Sequence, residues 1–580
     1  MQTHHTTTTQ LGESDVPLDG GKAARTLNEC LSLGENDLDE DVGIALTSLI
    51  TTAVHDEEPK HNLANIVEAV KESGQAAELE PLTIIPIIVG SADSSADDLL
   101  DLMTKECSAK EVVMAVEEVV ENLDRQLRCA DENEDGRVAQ HITASKQIAR
   151  LIRAYAASNS YLVLTAIPRL PRWKKSPKDT VESRLKELDS VISHVSGDAS
   201  PEEGRSIIVE TSQLVLALSQ GADAETKDLL CRLLESAIAA FPNHIQAGLA
   251  RQAFASHFRR LVVPQAESSS SAGQREDAIT VAWSALRALG VTPSSCSRRP
   301  SLATLILLAH DASYTFSTSG LADFFPVILP SLQANVALDE VLSVLIHSLA
   351  PLRTATPKSA LDTDLIVPLI HLLPHIASNH PDADVRHFTF RIVSLVLGLS
   401  PPPVRFGLLK DLLSDEDTPR QMRIAAVGLL KEAVLEGLSG GDQNIFASRH
   451  LLSTFGPIVL RPDPPDVFET TTLEEFLDGP EPLRLVESLG FYYVLLQRDQ
   501  RNQARCLSSA TGVRDADSLA NVRRSLLKPL ETGLHRLGQG TTAGVGNQAD
   551  HGYSLQLQIL EMWLDRVYKA VDAVGIGDHS

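Results

Sequence analysis

Aromatic side chains make up only 4% of the 580 residues, although hydrophobic residues make up 43%. The apolar content is therefore mostly Leu, Val, Ala and Ile. That suits stacked helices better than an all-β sandwich, which draws on aromatic and β-branched residues. Cysteine is equally scarce. Cys30, Cys107, Cys129, Cys231, Cys296 and Cys506 are scattered and form no C-x-x-C pair, so zinc and thioredoxin-like readings lack their first requirement. So few thiols in so long a chain fit a reducing compartment. Positive charge is also short: 51 Lys and Arg face 77 Asp and Glu, a formal net charge of -26. Such a chain repels phosphate backbones, which excludes direct nucleic-acid binding as its main task. An acidic surface favours basic protein partners and keeps the chain soluble. No apolar run approaches about 20 residues, so no helix is expected to span a membrane. The opening "MQTHHTTTTQLGESDVPLDGG" has neither the basic nor the apolar segment of a signal peptide. The expectation is a cytoplasmic protein, with the nucleus as a second location.

What the chain does have is helical periodicity. In "SAKEVVMAVEEVVENLDRQLR" (108–128), Val112, Val116, Val119, Val120, Leu123 and Leu127 fall on one face. Ser108 followed by Glu111 is a capping-box signal at its start. "SKQIARLIRAYAA" repeats the logic with Ile148, Leu151, Ile152 and Tyr155. No run of alternating strands interrupts the pattern. Within 382–436, Val385-Arg386 and Met422-Arg423 stand in matching places, 37 positions apart (422 minus 385), with the amphipathic "PPVRFGLLKDLLSDED" between them. A helix pair recurring at this spacing resembles a HEAT or armadillo unit, slightly short of the usual ~40–47 residues. The expected fold is all-α, a HEAT/armadillo-like solenoid of stacked helix pairs. Residues 1–22, polar and Thr/Gly-rich, are expected to be a disordered tail. The helical repeat region is assigned to 23–460 and a carboxy-terminal helical region to 481–575.

Several motifs imitate chemistry. "DENEDGRVAQHI" (131–142) begins like a calcium loop, with Asp131, Asn133 and Asp135 at its odd places and Gly136 at its sixth. Its twelfth place is Ile142, where the bidentate glutamate should sit, so it reads as an acidic turn. "GLSGG" (437–441) fits G-x-S-x-G around Ser439, but a nucleophile elbow needs a strand before the serine, and here a helix precedes it. "LSGGDQ" imitates a transporter-ATPase signature without any phosphate-cradling G-x-x-x-x-G-K-[ST]. His347, His371, His375, His380 and His387 crowd one region; "HLLPH" lacks the glutamate of a zinc protease and has Pro374 in the way. "PRWKKSPK" is a basic island that reads as a solvated loop, with a localisation signal as its alternative. Cys107, just before a helix start, and Cys506, beside Arg505, are the candidates for a depressed thiol pKa. These readings assign no catalytic residue, metal or cofactor, and the chain is expected not to be an enzyme.

The carboxy-terminal stretches "ESLGFYYVLLQRDQRN" (487–502), "TGVRD" (511–515) and "NVRRSLLKPLETGL" (521–534) resemble one family. It groups animal glomulin, the plant aberrant-lateral-root-formation protein and fungal YAP-binding proteins. Its L-x-x-L-L-x-R-D helix maps to Val494–Asp499, its N-x-TG-[VI] turn to Asn502 and Thr511-Gly512-Val513, and its L-x-P-L to Leu527–Leu530. The insertion "QARCLSSA" and Arg514, where an aromatic is frequent, depart from the pattern and tilt the resemblance toward the fungal branch. The resemblance implies a non-catalytic regulator, with Arg498, Asp499, Asn502, Thr511, Gly512, Arg514, Arg523, Arg524, Lys528 and Pro529 as partner-binding candidates. The same residues have a structural reading. Gly512 permits φ > 0, Asp515 or Asp517 can cap the next helix, Pro529 kinks or stops it, and Arg498 with Asp499 locks the turn. The partner implied is either a bZIP transcription factor of the peroxide response, with a kinetochore link in fungal relatives, or the RING subunit of a cullin-RING ubiquitin ligase, which animal glomulin caps. An acidic solenoid would hold a basic segment of the partner, and apolar grooves would take an amphipathic helix.

Overall fold

The computed structural model describes residues 42–129, 143–165, 185–193 without 187, 199–245 without 221, 247–261, 278–354, 361–439, 444–499, 511–540 and 550–577. The tail at 1–22, the acidic loop at 131–142 and the basic island lie outside these residues. Among the described residues the chain is all-α, made of helices that pack as neighbouring pairs. It divides into two compact units. One contains the described residues up to 247 together with 278–311. The other contains helix Leu249–His257 and the described residues from 312 onward.

The first unit runs through α1 (Val42–His55), α2 (Leu63–Ser73), α3 (Pro81–Ile88), α4 (Ser95–Glu106), α5 (Ala109–Cys129), α6 (Ala144–Thr165), α7 (Pro201–Ser219) and α8 (Ala224–Ala240). The apolar stripe expected on α5 is its inner face: Val112, Val116, Val119 and Leu123 are buried. Ile148, Leu151 and Ile152 of α6 are buried likewise. α7 starts on a full capping box, with Ser200 and Glu203 bonded reciprocally.

The unit's polar anchor is Arg150 on α6, whose side chain is 2% exposed. Its Nη1 donates to the carbonyls of Ile88, Val89 and Ser91, and its Nη2 to that of Asp93. Nε and Nη2 reach the Asp97 carboxylate at 2.7 and 3.1 Å. A helix end leaves its last carbonyls without partners, and α3 ends inside the unit. The guanidinium supplies what water cannot. One turn along, Arg153 binds Glu210 of α7 at 2.9 Å. Burial pushes the Glu210 carboxyl up, and the Arg153 charge opposes that shift.

The second unit begins with α9 (Leu249–His257), before the chain continues into α10 (Ala278–Ala288), α11 (Pro293–Cys296) and α12 (Leu302–His310) of the first. It resumes with α13 (Thr318–Ala334), α14 (Leu338–Thr354), α15 (Thr363–Asn379), α16 (Ala383–Leu399), α17 (Pro402–Ser414) and α18 (Arg420–Ser439). The first helices of three successive pairs begin at 318, 363 and 402, and the second helices at 338, 383 and 420. The repeat read from Val385 and Met422 is therefore real, with one more pair upstream. α9 is fixed to α14 by Asp339, whose carboxylate accepts from the Leu249 and Ala250 N–H groups at 2.7 and 2.8 Å. A carboxylate at a helix N-terminus satisfies orphan donors and opposes the dipole. Phe254 then stacks near Phe388, with centroids 4.9 Å apart.

α15 continues through both Pro368 and Pro374, so His371 and His375 share one helix and both are exposed. His347 instead faces His257 across the α9–α14 contact, Nε2 to Nδ1 3.1 Å. Among the described residues no group of three or more His, Cys, Asp and Glu is placed to hold a metal, and no helix is long and apolar enough to cross a membrane.

Arg150→Ala should lower the stability of the first unit by about 3–5 kcal/mol, because Asp97 and several buried carbonyls lose their partner together. Urea unfolding followed by circular dichroism checks this. A change below about 1 kcal/mol would show that the carbonyls find other donors.

Candidate interaction surface

The carboxy-terminal region runs through α19 (His450–Val459), α20 (Val467–Thr470), α21 (Leu473–Asp478), α22 (Glu481–Arg498), α23 (Ala516–Val522), a π-helical segment Arg523–Leu527, α24 (Lys528–Gly540) and α25 (Asp550–Gly577), and the motif spans its part from α22 to α24. α22 is the central rod. Leu485, Leu489, Phe491, Tyr492, Leu495 and Leu496 are buried on it, and it packs on α18 and α25. Burial drives the Tyr492 phenol well above its ordinary range.

The motif's turn is built from the inside. Asp499 is 3% exposed and Thr511 1%, and the Thr511 hydroxyl donates to Asp499 Oδ2 at 2.8 Å. Gly512 then takes φ +76, and a Cβ there would stand 3.2 Å from Asp515 Oδ2. Val513 is fully buried. Arg514 donates from Nη2 to the Leu496 carbonyl at 2.8 Å, so it serves the last turn of α22. Asp515 occupies the N-cap position of α23, but its side chain makes no cap bond. It lies 3.4 Å from Arg449 instead. The expected side-chain cap is corrected to a surface ion pair.

The remaining motif residues point outward. Arg498, Arg523, Arg524 and Lys528 are exposed and Pro529 is half-buried; Asn502 lies outside the described residues. Arg524 donates to Asn521 Oδ1 at 3.1 Å. Arg523 sits over the Tyr568 ring, 5.7 Å from its centroid, and Tyr568 donates to Glu531 at 2.8 Å. Burial, with Glu531 adding to it, pushes the Tyr568 phenol up to about 12. Pro529 does not stop its helix, which runs to Gly540. Its ring would press on the Ser525 carbonyl in a regular α-turn. The preceding segment widens to π geometry, with the Lys528 N–H bonded to the Arg523 carbonyl.

Among the described residues, Cys107, Cys231 and Cys296 are not poised for chemistry. Cys107 donates to the Ala76 carbonyl at 3.1 Å. Burial, then Glu111 and Glu106, push it up to about 11. The helix-dipole expectation is therefore reversed by two carboxylates and lost hydration. Cys231 is pushed up to about 12 by burial and Glu235, and Cys296 to about 11 by burial and Glu235. Cys506 lies outside the described residues. Ser439 closes α18, its hydroxyl bonded back to the Leu435 carbonyl at 2.7 Å, which is a helix-end contact and not an elbow after a strand.

Two of the cavities on this unit border α19. One of about 430 Å³ lies between α19, the Thr511-Gly512 turn and α23. One of about 510 Å³ lies between α18, α19 and the segment 461–484. Arg461 lines both. The sequence reading missed this place, because its residues come from three separated stretches.

Residues 321–563 match the family model described as an uncharacterised protein family, YAP/Alf4/glomulin, which supports the resemblance carried by the motif. No curated protein matches the chain. Among solved structures, the chain is similar to a Kap121p mutant at 12% identity and a TM-score of 0.22, over 96% of this chain. The chain spans 57% of the length of that structure. The all-α assignment rests on the helices themselves.

Asp499→Ala should cost about 1–3 kcal/mol, because the buried Thr511 hydroxyl loses its acceptor. The exposed neighbour Arg498→Ala should stay within about 0.5 kcal/mol. Thermal unfolding of both variants distinguishes the inward from the outward half of the motif. Iodoacetamide at neutral pH should leave Cys107, Cys231 and Cys296 unmodified in the folded protein and modify all three in urea. Mass mapping reads the result, and rapid labelling of the folded form would contradict their assignment as structural thiols.

Proposed function

We propose that this chain, whose residues 321–563 match the YAP/Alf4/glomulin family model, is a non-enzymatic adaptor that works by protein–protein contact. The observation that carries the reading is that the family match begins in α13 and runs to α25, so it follows the stack of helix pairs together with the motif. Stacked helices offer extended surfaces for partner binding. The partner assigned is a bZIP transcription factor of the peroxide response, met in the cytoplasm or nucleus. The net charge of -26 suits the basic segment of such a factor. Within the motif, Arg498, Arg523, Arg524 and Lys528 are the contact residues for acidic or polar groups of the partner outside that basic segment, while Asp499, Thr511, Gly512 and Arg514 shape the turn that presents them.

The second reading is inhibition of a cullin-RING ubiquitin ligase by capping its RING subunit through the carboxy-terminal helices. It shares the same motif, which lies within the matched segment. One experiment separates the two. The full chain is titrated with a purified bZIP protein across ionic strength, and in parallel added to a reconstituted cullin-RING reaction. Salt-weakened binding with unchanged ubiquitin chain formation is expected. Absence of bZIP binding at every salt concentration would overturn the first reading. Inhibition that disappears on deleting 481–580 would establish the second.

A further inference from the structure

We propose that α9 is a proton-gated clasp: its docking on α14 and α16 loosens when His257 and His347, which face each other across that contact, both carry a proton.

Register places the contact. Leu249 meets Asp339 and His257 meets His347, an offset of 90 positions at both ends of α9. Arg251 pairs with Asp384 at an offset of 133. His387 meets Phe254 and Arg391 meets Phe258 at that same offset (387 minus 254, 391 minus 258). Helices paired at a constant offset run in the same direction, so α9 lies along both α14 and α16, start beside start. Its hold is short. Of its 9 residues only Ala250, Ala253 and Phe254 are buried, so the bonds at its two ends matter.

The two ends carry opposite charge. At the start, Asp339 accepts from the Leu249 and Ala250 N–H groups and Asp384 holds Arg251. Anions suit a helix N-terminus. The far end is cationic. Arg259 and Arg260 follow α9 and are exposed, His387 of α16 stands edge-on to Phe254, and Arg391 lies 4.7 Å from the Phe258 centroid. Burial, then Arg353 of α14, push the Arg391 guanidinium down, and Glu432 of α18 opposes them.

At this end His257 Nε2 and His347 Nδ1 are 3.1 Å apart. Burial lowers both imidazoles, with His257 adding to the effect on His347, and no carboxylate offsets the shift at either. A neutral pair shares one N–H···N bond, and a pair with one extra proton shares one too. The α9 dipole favours that first proton at His257. The second proton is the disruptive one, because it leaves two donors facing each other with no acceptor between them. Undocked, each ring titrates at the ordinary imidazole value of 6.5. The docked values lie below that, so the docked form binds fewer protons, and docking is favoured above the ordinary value and lost as pH falls below it. Release bares Phe388, which Phe254 covers with ring centroids 4.9 Å apart.

Hydrogen–deuterium exchange of the full-length chain tests this, at about pH 7.5 and about pH 5.5, with intrinsic rates corrected and peptides from α9 and α22 compared by mass spectrometry. Exchange of α9 is expected to rise at least about threefold at the lower pH, with α22 of the same unit unchanged. His347→Gln, and the His257→Gln/His347→Gln double variant, should flatten the α9 response, although His387 still titrates beside Phe254. The proposal is overturned by unchanged α9 exchange on acidification of the parent, by an equal rise in α22, or by an undiminished rise in the two variants.

Discussion

Every helix ends with carbonyls that have no partner in their own helix, and where such an end is packed away from water another part of the protein must supply the donors. Arginine is this chain's answer. Arg150 serves the end of α3, Arg205 the His244 carbonyl after α8, and Arg386 the carbonyls of His380 and Pro381 after α15. Arg484 serves Arg461 after α19, and Arg514 serves Leu496 within α22. A planar fork with five donors can reach two or three carbonyls that converge at a helix end, which an ammonium on a flexible stem does less well. Each such residue lies on a neighbouring element, so the bond that completes one helix also fixes the next against it. That coupling lets a chain poor in aromatics hold its stack through Leu, Val and Ile contacts and a few directional bonds.

The same device shapes the family motif. Asp499 and Thr511 close the turn, Arg514 finishes α22, and the π segment admits Pro529 without ending the helix. Interior bonds thus set where Arg498, Arg523, Arg524 and Lys528 emerge.

Periodicity made the helices legible. The stripe Val112, Val116, Val119 and Leu123 is the inner face of α5, and the Val385–Met422 spacing marked a real repeat. Apolar spacing reports on one helix at a time. The partners of Arg150 lie 53 to 62 positions away in sequence, and no local pattern encodes them. Proline was over-read as a stop at Pro529, because a widened turn absorbs the missing N–H. Asp515 was correctly placed at a helix start, but Arg449 drew its side chain outward. Cys107 was judged from the helix dipole alone, while burial and two carboxylates decide its thiol. The motif residues were legible as a set. Their division into inward and outward halves was not, since it depends on how α22 packs on α18 and α25.

The central claim is that fixed guanidinium groups complete the helix ends. Nitrogen-15 NMR of the arginine side chains tests it most directly. The account predicts hindered rotation about the Nε–Cζ bond of Arg150, with separate Nη resonances and slow hydrogen exchange at Nε, lost in urea. A single averaged, rapidly exchanging signal from Arg150 in the folded protein would contradict it.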